Sequence, residues 1–240
     1  QLVRMRARGS TYAINATTNT NLTIQDSYID QYWSAGIFTQ GITKLRISGN
    51  RIAAASGTDL TGHAIFSFIN TDVIISNNDV AAPNIFGIGA GGTHNGLIIS
   101  NNLIRTRQHE GINIDAQSGA VANFEVTGNT IICPAGHLDA CMFVFANTGT
   151  IRQGLVSNNL LLDCGSVGIG VLDDTQGVKV QNNKIRNPAS ANGASGGGAV
   201  SHYGIALEPY SGIPAPTFNI VEGNTVTTNN AFMTHAIGEL

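Results

Sequence analysis

The sequence predicts an all-β solenoid, a parallel β-helix, on three observations. A phrase built around an Asn recurs along the 240 residues, the apolar residues inside each copy alternate with period two, and the side chains are mostly small and uncharged. The phrase reads LRISGNRI ending at Ile52, VIISNNDV at Val80, LIISNNLI at Ile104, FEVTGNTI at Ile131, GLVSNNLL at Leu161, VKVQNNKI at Ile185 and NIVEGNTV at Val226. Its last Asn recurs at Asn50, Asn78, Asn102, Asn129, Asn159, Asn183 and Asn224, at intervals of 28, 24, 27, 30, 24 and 41 residues, the spacing of a solenoid. A weaker opening copy, NLTIQDSYI from Asn21, sets Ser27 in the Asn column.

The apolar runs are too short for helices, and their alternation is that of strands. A second motif follows each Asn turn: AGIFTQG, HAIFSFI, FGIGAGG, EGINIDA, ACMFVFA, VGIGVLD, YGIALEP and HAIGEL. Each coil therefore carries about three short strands, and about eight coils stack as parallel sheets that close backbone hydrogen bonds onto their neighbours. A leucine-rich repeat shares the period and the Asn column but needs a convex segment with helical periodicity, and the sequence has none. The Asn column reads as structural, since Asn tolerates left-handed backbone angles and its amides can bond from coil to coil within a turn.

The alternation of the Asn phrase with the Gly-Ile motif resembles the right-handed parallel β-helix repeat of the pectate-lyase-like superfamily, which includes pectin-degrading enzymes, alginate epimerases and phage tailspike depolymerases. The likeness covers nearly the whole chain and implies a right-handed, single-stranded coil and a polysaccharide as partner. Tailspike likeness implies homotrimeric packing and a place outside the cell or on a virion. YGIALEPYSG from Tyr203 is similar in placement to the epimerase motif but lacks its leading Asp and its His.

Composition suits that architecture: Gly is 29 of 240 and charged residues only 11%, as narrow stacked coils require. One domain, 1–240, accounts for the repeats. The net charge of −3 with 12 Lys and Arg gives no nucleic-acid surface. No apolar run is long enough to insert in a membrane, and no signal peptide is visible. The opening QLVRMRARG and the closing HAIGEL read as parts of further coils, so a longer parent chain is expected. Cys133, Cys141 and Cys164 match no zinc spacing; Cys133 and Cys164 follow the Asn turns of adjacent coils, and free, partly buried thiols are expected.

Function is sought on the outside of the coils. If the Ile of each Gly-Ile motif points inward, the residues one and three places later point out. They form two columns: Phe38, Phe66, Gly89, Asn113, Phe143, Gly170, Ala206, and Gln40, Phe68, Gly91, Asp115, Phe145, Leu172, Glu208. Five outward Phe side chains predict a cover, whether a folded-back loop, a neighbouring subunit or a sugar chain. Asp115, Asp173, Asp174 and Glu208 are the expected catalytic carboxyls. With coils about 4.8 Å apart, Asp115 would stand roughly 10 Å from the Asp173/Asp174 pair and Asp174 roughly 5 Å from Glu208, separations that serve inverting or retaining glycoside hydrolysis.

Histidines gather just before the same strands, at His63, His109, His137, His202 and His235, with Glu110, Asp139 and Tyr203 among them. Such a His or Tyr could act as the base of a β-elimination, with Arg105 or Arg107 neutralising a uronate. Asn113 lies between them, and Tyr32 with Trp33, the only Trp, is the expected sugar-stacking spot. The loop Arg186 to His202 reads as a flap or a partner contact. No metal or other cofactor is expected; a Ca²⁺ at Asp173 and Asp174 has no ligand spacing in its favour. The expectation is a β-helix that binds a polysaccharide along its Gly-Ile face and cleaves it as a glycosidase or lyase. The alternatives are a non-catalytic adhesin or structural module, and a uronan C5-epimerase.

Overall fold

The computed structural model of the chain describes all residues except 54–61, 82–84, 108, 135–138, 189–202, 210–213, 229–234 and 240, and leaves out the side chains of 9, 10, 235, 238 and 239. Among the described residues there is no helix, and every strand pairing is parallel.

Three sheets run along a cylinder, each built on one aliphatic column. In the Gly-Ile sheet the register runs Ile14, Ile37, Ile65, Ile88, Ile112, Met142, Ile169, Ile205, Ile237. In the second sheet, whose strands lead into the Asn turn, it runs Ile24, Ile47, Ile75, Ile99, Val126, Val156, Val180. In the third, whose strands leave that turn, it runs Ile29, Ile52, Val80, Ile104, Ile131, Leu161, Ile185. These side chains fill the lumen, and nearly all have no solvent exposure. Each contributes about 1.5–3 kcal/mol by burial, which makes this interior the main source of stability.

The Asn column works as a ladder. Nδ2 of Asn50 donates to Oδ1 of Asn78 at 3.0 Å, and the relay continues through Asn102, Asn129, Asn159 and Asn183 to Asn224 at 2.9–3.0 Å. The same Oδ1 atoms accept the backbone N–H of the Asn one coil earlier, so each buried amide satisfies the turn as well as its neighbour. The left-handed backbone falls on the preceding residue instead: Gly49, Asn77, Asn101, Gly128, Asn158, Asn182 and Gly223 all have positive φ, near 54–67°. This divides between two residues what the sequence assigned to one, and it explains why Gly and Asn interchange at the first position while the second is always Asn.

In the first two coils the three strands merge into Arg6–Gln25 and Tyr28–Ser48. Their corners are made by residues with positive φ, among them Thr18, Asn21, Gln31, Gly41 and Lys44, and no loop interrupts the ladder. The corner at Gln31 also resets the alternation. Tyr32, expected to stack on sugar, is consequently turned into the core and is fully buried, whereas Trp33 points out and is 52% exposed.

The cysteines also depart from expectation. Cys141 and Cys164 form a disulfide across successive coils, while Cys133 remains a buried thiol with its Sγ 3.1 Å from that of Cys141. Offset from the Asn turn is a poor guide here, because Cys141 opens a Gly-Ile strand and so meets Cys164 from a different sheet.

The outward Phe residues are only partly exposed. Tyr12, Phe38 and Phe66 follow one another along the face with ring centroids 5.1 and 6.0 Å apart, and His63 stacks on Phe66 at 4.7 Å. The glycines of the column make room for these rings: a Cβ at Gly89 would stand 2.7 Å from Phe66, and one at Gly170 would stand 2.6 Å from Phe143. The face is thus largely covered by its own chain, so its aromatic content does not by itself require a partner subunit.

Candidate functional site

Residues just before three successive Gly-Ile strands form one side of a cleft on this face: Ile85 and Phe86, then His109 and Glu110, then Asp139. The outward residues of the strands form its floor, with Asn113 and Asp115 on Ile112–Asp115, Phe143 and Phe145 on Met142–Phe145, and Leu172 at the end of Val167–Leu172. The cleft encloses about 380 Å³. The register Asp115, Phe145, Leu172 sets a carboxylate at one end of an apolar strip.

The wall is polar and mostly buried. Nδ1 of His109 lies 3.0 Å from Oδ2 of Asp139, and Asp139 and Glu110 are each 6% exposed. The hydrogen bond to Asp139 raises the pKa of His109. Burial, and then the charge of Asp139, push Glu110 up to about 8. Its Oε2 is buried without a hydrogen-bond partner among the described residues. Asp115 is half-buried, accepts the backbone N–H of Gln117 at 2.8 Å, and is raised by burial. Carboxyl groups on the wall and at one end of an apolar strip can donate or accept protons where bulk water is reduced.

The structure therefore brings together five of the residues singled out in the sequence: His109, Glu110, Asn113, Asp115 and Asp139. It sets the other described carboxyls elsewhere. Asp173, with φ 57°, is fully buried in a corner, its N–H bonded to the carbonyl of Glu208. Asp174 leans away onto Arg152, with an Nη2–Oδ2 distance of 2.9 Å. Glu208 occupies the Asp115 column three strands further on but is fully buried. Neither of its oxygens has a partner among the described residues, and burial pushes it up to about 7.

Asp115 is in register with Leu172, as the outward column has it, and Asp173 and Asp174 follow Leu172 in the chain. Arg105 pairs with Asp79 at 2.5 Å on the third sheet, and neither it nor Arg107 lines the cleft. Tyr203 packs against a small outer cluster of Ala140, Val167 and Ala206. His137, His202 and most of the predicted flap lie outside the described residues, as does the side chain of His235. Sequence reading missed the roles of Ile85 and of Phe86, the first residue of the FGIGAGG motif, which line the cleft just before Ile88–Gly91. It also missed His94, buried beneath the second corner with Nε2 3.1 Å from the carbonyl oxygen of Ser67.

Against known proteins, the family model described as "Right handed beta helix region" matches residues 3–153. No curated protein matches the chain. Among solved structures, the catalytic domain of a GH87 α-1,3-glucanase in complex with nigerose superimposes with a TM-score of 0.51 at 13% identity, over 92% of this chain and 49% of that one. The catalytic unit of a thermostable GH87 α-1,3-glucanase from Streptomyces thermodiastaticus strain HF3-3 gives a TM-score of 0.49 at 15% identity, over 93% of this chain and 52% of that one. The chain spans about half the length of these structures, and at such identity the likeness is one of fold.

Proposed function

Because the chain belongs to the right-handed β-helix family, we propose that its outer cleft binds a neutral polysaccharide and hydrolyses it. The observation that carries this reading is the convergence, in one cleft, of an apolar floor of Phe143, Phe145 and Leu172 with the ionisable groups of Asp115 and the His109–Glu110–Asp139 wall. Sugar rings present C–H faces that pack on aromatic side chains, and Asn113 between them offers an amide to hydroxyls. Neutral substrate is favoured because no Arg or Lys lines the cleft among the described residues. A uronan would bring negative charge to a surface that already holds three carboxyl groups.

In this reading Asp115, within reach of solvent at the end of its strand, handles the proton of water or of the leaving group, and a wall carboxyl takes the complementary role. Glu110 precedes the four-residue strand that Asp115 ends, roughly 16 Å away along an extended backbone. Side chains converging from that span suit the wider carboxyl separation of an inverting hydrolase over the narrow retaining one. The disulfide supports an oxidising, extracellular setting.

The test is incubation with a panel of neutral and acidic polysaccharides, with α-1,3-glucan included on grounds of fold, reading both reducing ends and the ultraviolet absorbance of unsaturated ends. New reducing ends from a neutral glycan, with inverted anomeric configuration by NMR, are expected. Asp115→Asn should lower turnover roughly 100-fold or more while leaving the circular dichroism spectrum intact. Unsaturated ends from a uronan would replace hydrolysis with elimination. Silence across the panel, with retention on a glycan column, would make the chain a binding module.

A further inference from the structure

His109, Glu110 and Asp139 each offer one ligand atom, and the three atoms lie within 4.8 Å of one another. Two of the three side chains, Glu110 and Asp139, are almost wholly shielded from water. The hydrogen bond between His109 and Asp139 accounts for one carboxyl group. The other belongs to Glu110, which is 6% exposed and has a buried Oε2 without a hydrogen-bond partner among the described residues. A buried carboxylate oxygen left unpaired is costly, and it marks a site whose natural complement is a cation or a proton.

We propose that His109, Glu110 and Asp139 form a site for a divalent first-row transition metal, with Zn²⁺ as the fitting probe. One imidazole with two carboxylates is a borderline donor set that Zn²⁺ accepts, whereas Ca²⁺ prefers six or more oxygens and no imidazole. Metal–ligand bonds of about 2.0–2.2 Å require the three atoms to close by a fraction of their present separation. Three protein ligands leave a fourth position facing the cleft. Residue spacing does not mark the three as metal ligands, because they come from two loops thirty residues apart in the chain and meet only when adjacent coils stack.

The inference stands on this geometry and does not depend on the reaction proposed above. A cation on Glu110 and a proton on Glu110 are alternative states of one side chain, so binding is measured directly and not through turnover. The experiment titrates the chelator-treated 240-residue chain with ZnCl₂ by calorimetry, with CaCl₂ as the second probe. One Zn²⁺ per chain is expected, with no heat from Ca²⁺.

Glu110→Gln and His109→Ala should each weaken the affinity at least roughly tenfold, the lower end of the losses found even for groups that only support a ligand. Asp115→Asn, in the same cleft but outside the triad, should leave it unchanged. His109 is partly exposed, so its truncation tests the site even where a change at the buried Glu110 disturbs folding, and a melting curve for each variant separates the two effects. Absence of Zn²⁺ binding, Ca²⁺ binding in its place, or affinity retained in both triad variants would overturn the assignment. Zn²⁺ binding without polysaccharide cleavage would leave the site standing and remove the hydrolase reading.

Discussion

Buried carboxyls make the residue scale testable through pH. Glu208 has no exposure and no partner for either oxygen among the described residues, and burial moves it from 4.5 to about 7. Because the folded value lies above the unfolded one, its contribution is fully kept below pH 4.5 and is lost as pH rises through 7. The melting temperature of the wild type relative to Glu208→Gln should therefore fall across that window, and a difference independent of pH would show that the carboxyl is solvated. Glu208 was legible as a residue on the Gly-Ile face but not as a buried one, because parity along a strand says which side a residue points to and not what lies above it.

At the scale of the element, the Asn turn separates two roles that differ in cost. Asn102 donates to Ile75 O and Asn129 Oδ1, and its own Oδ1 accepts from the backbone and side chain of Asn78. Asn102→Ala leaves those groups buried and unpaired, and about 2–4 kcal/mol of destabilisation is expected in urea titration at about 1 kcal/mol per lost bond. Its neighbour Asn101 has φ 54° and an exposed side chain. Asn101→Gly should change stability by less than about 0.5 kcal/mol, since Gly adopts that angle freely. Asn101→Val should cost about 1–2 kcal/mol. Equal losses at both positions would contradict the division. The Asn column was readable from period alone, whereas the assignment of the left-handed angle to the residue before it needed the backbone.

For the whole molecule, the consequence of a solenoid is that each coil touches only its neighbours, so links between coils set cooperativity. The Cys141–Cys164 disulfide spans 23 residues of chain and joins one coil to the next. Its reduction is expected to lower stability by about 3 kcal/mol on the loop-closure account, read as a drop in the urea midpoint with dithiothreitol. An unchanged midpoint would mean that inter-coil packing already constrains the loop.

The sequence by itself determined the coil. Period-two alternation fixes which side chains enter the lumen, a repeat near 24–30 residues fixes what stacks on what, and both are local or periodic properties that survive without coordinates. Only the tertiary structure decided the site. Corners such as Gln31 reset the alternation and hid Tyr32; loops of unequal length moved Asp174 onto Arg152. Stacking of adjacent coils brought Asp139 against His109 and Glu110, because contact between loops depends on where strands end in space and not on their place in the repeat.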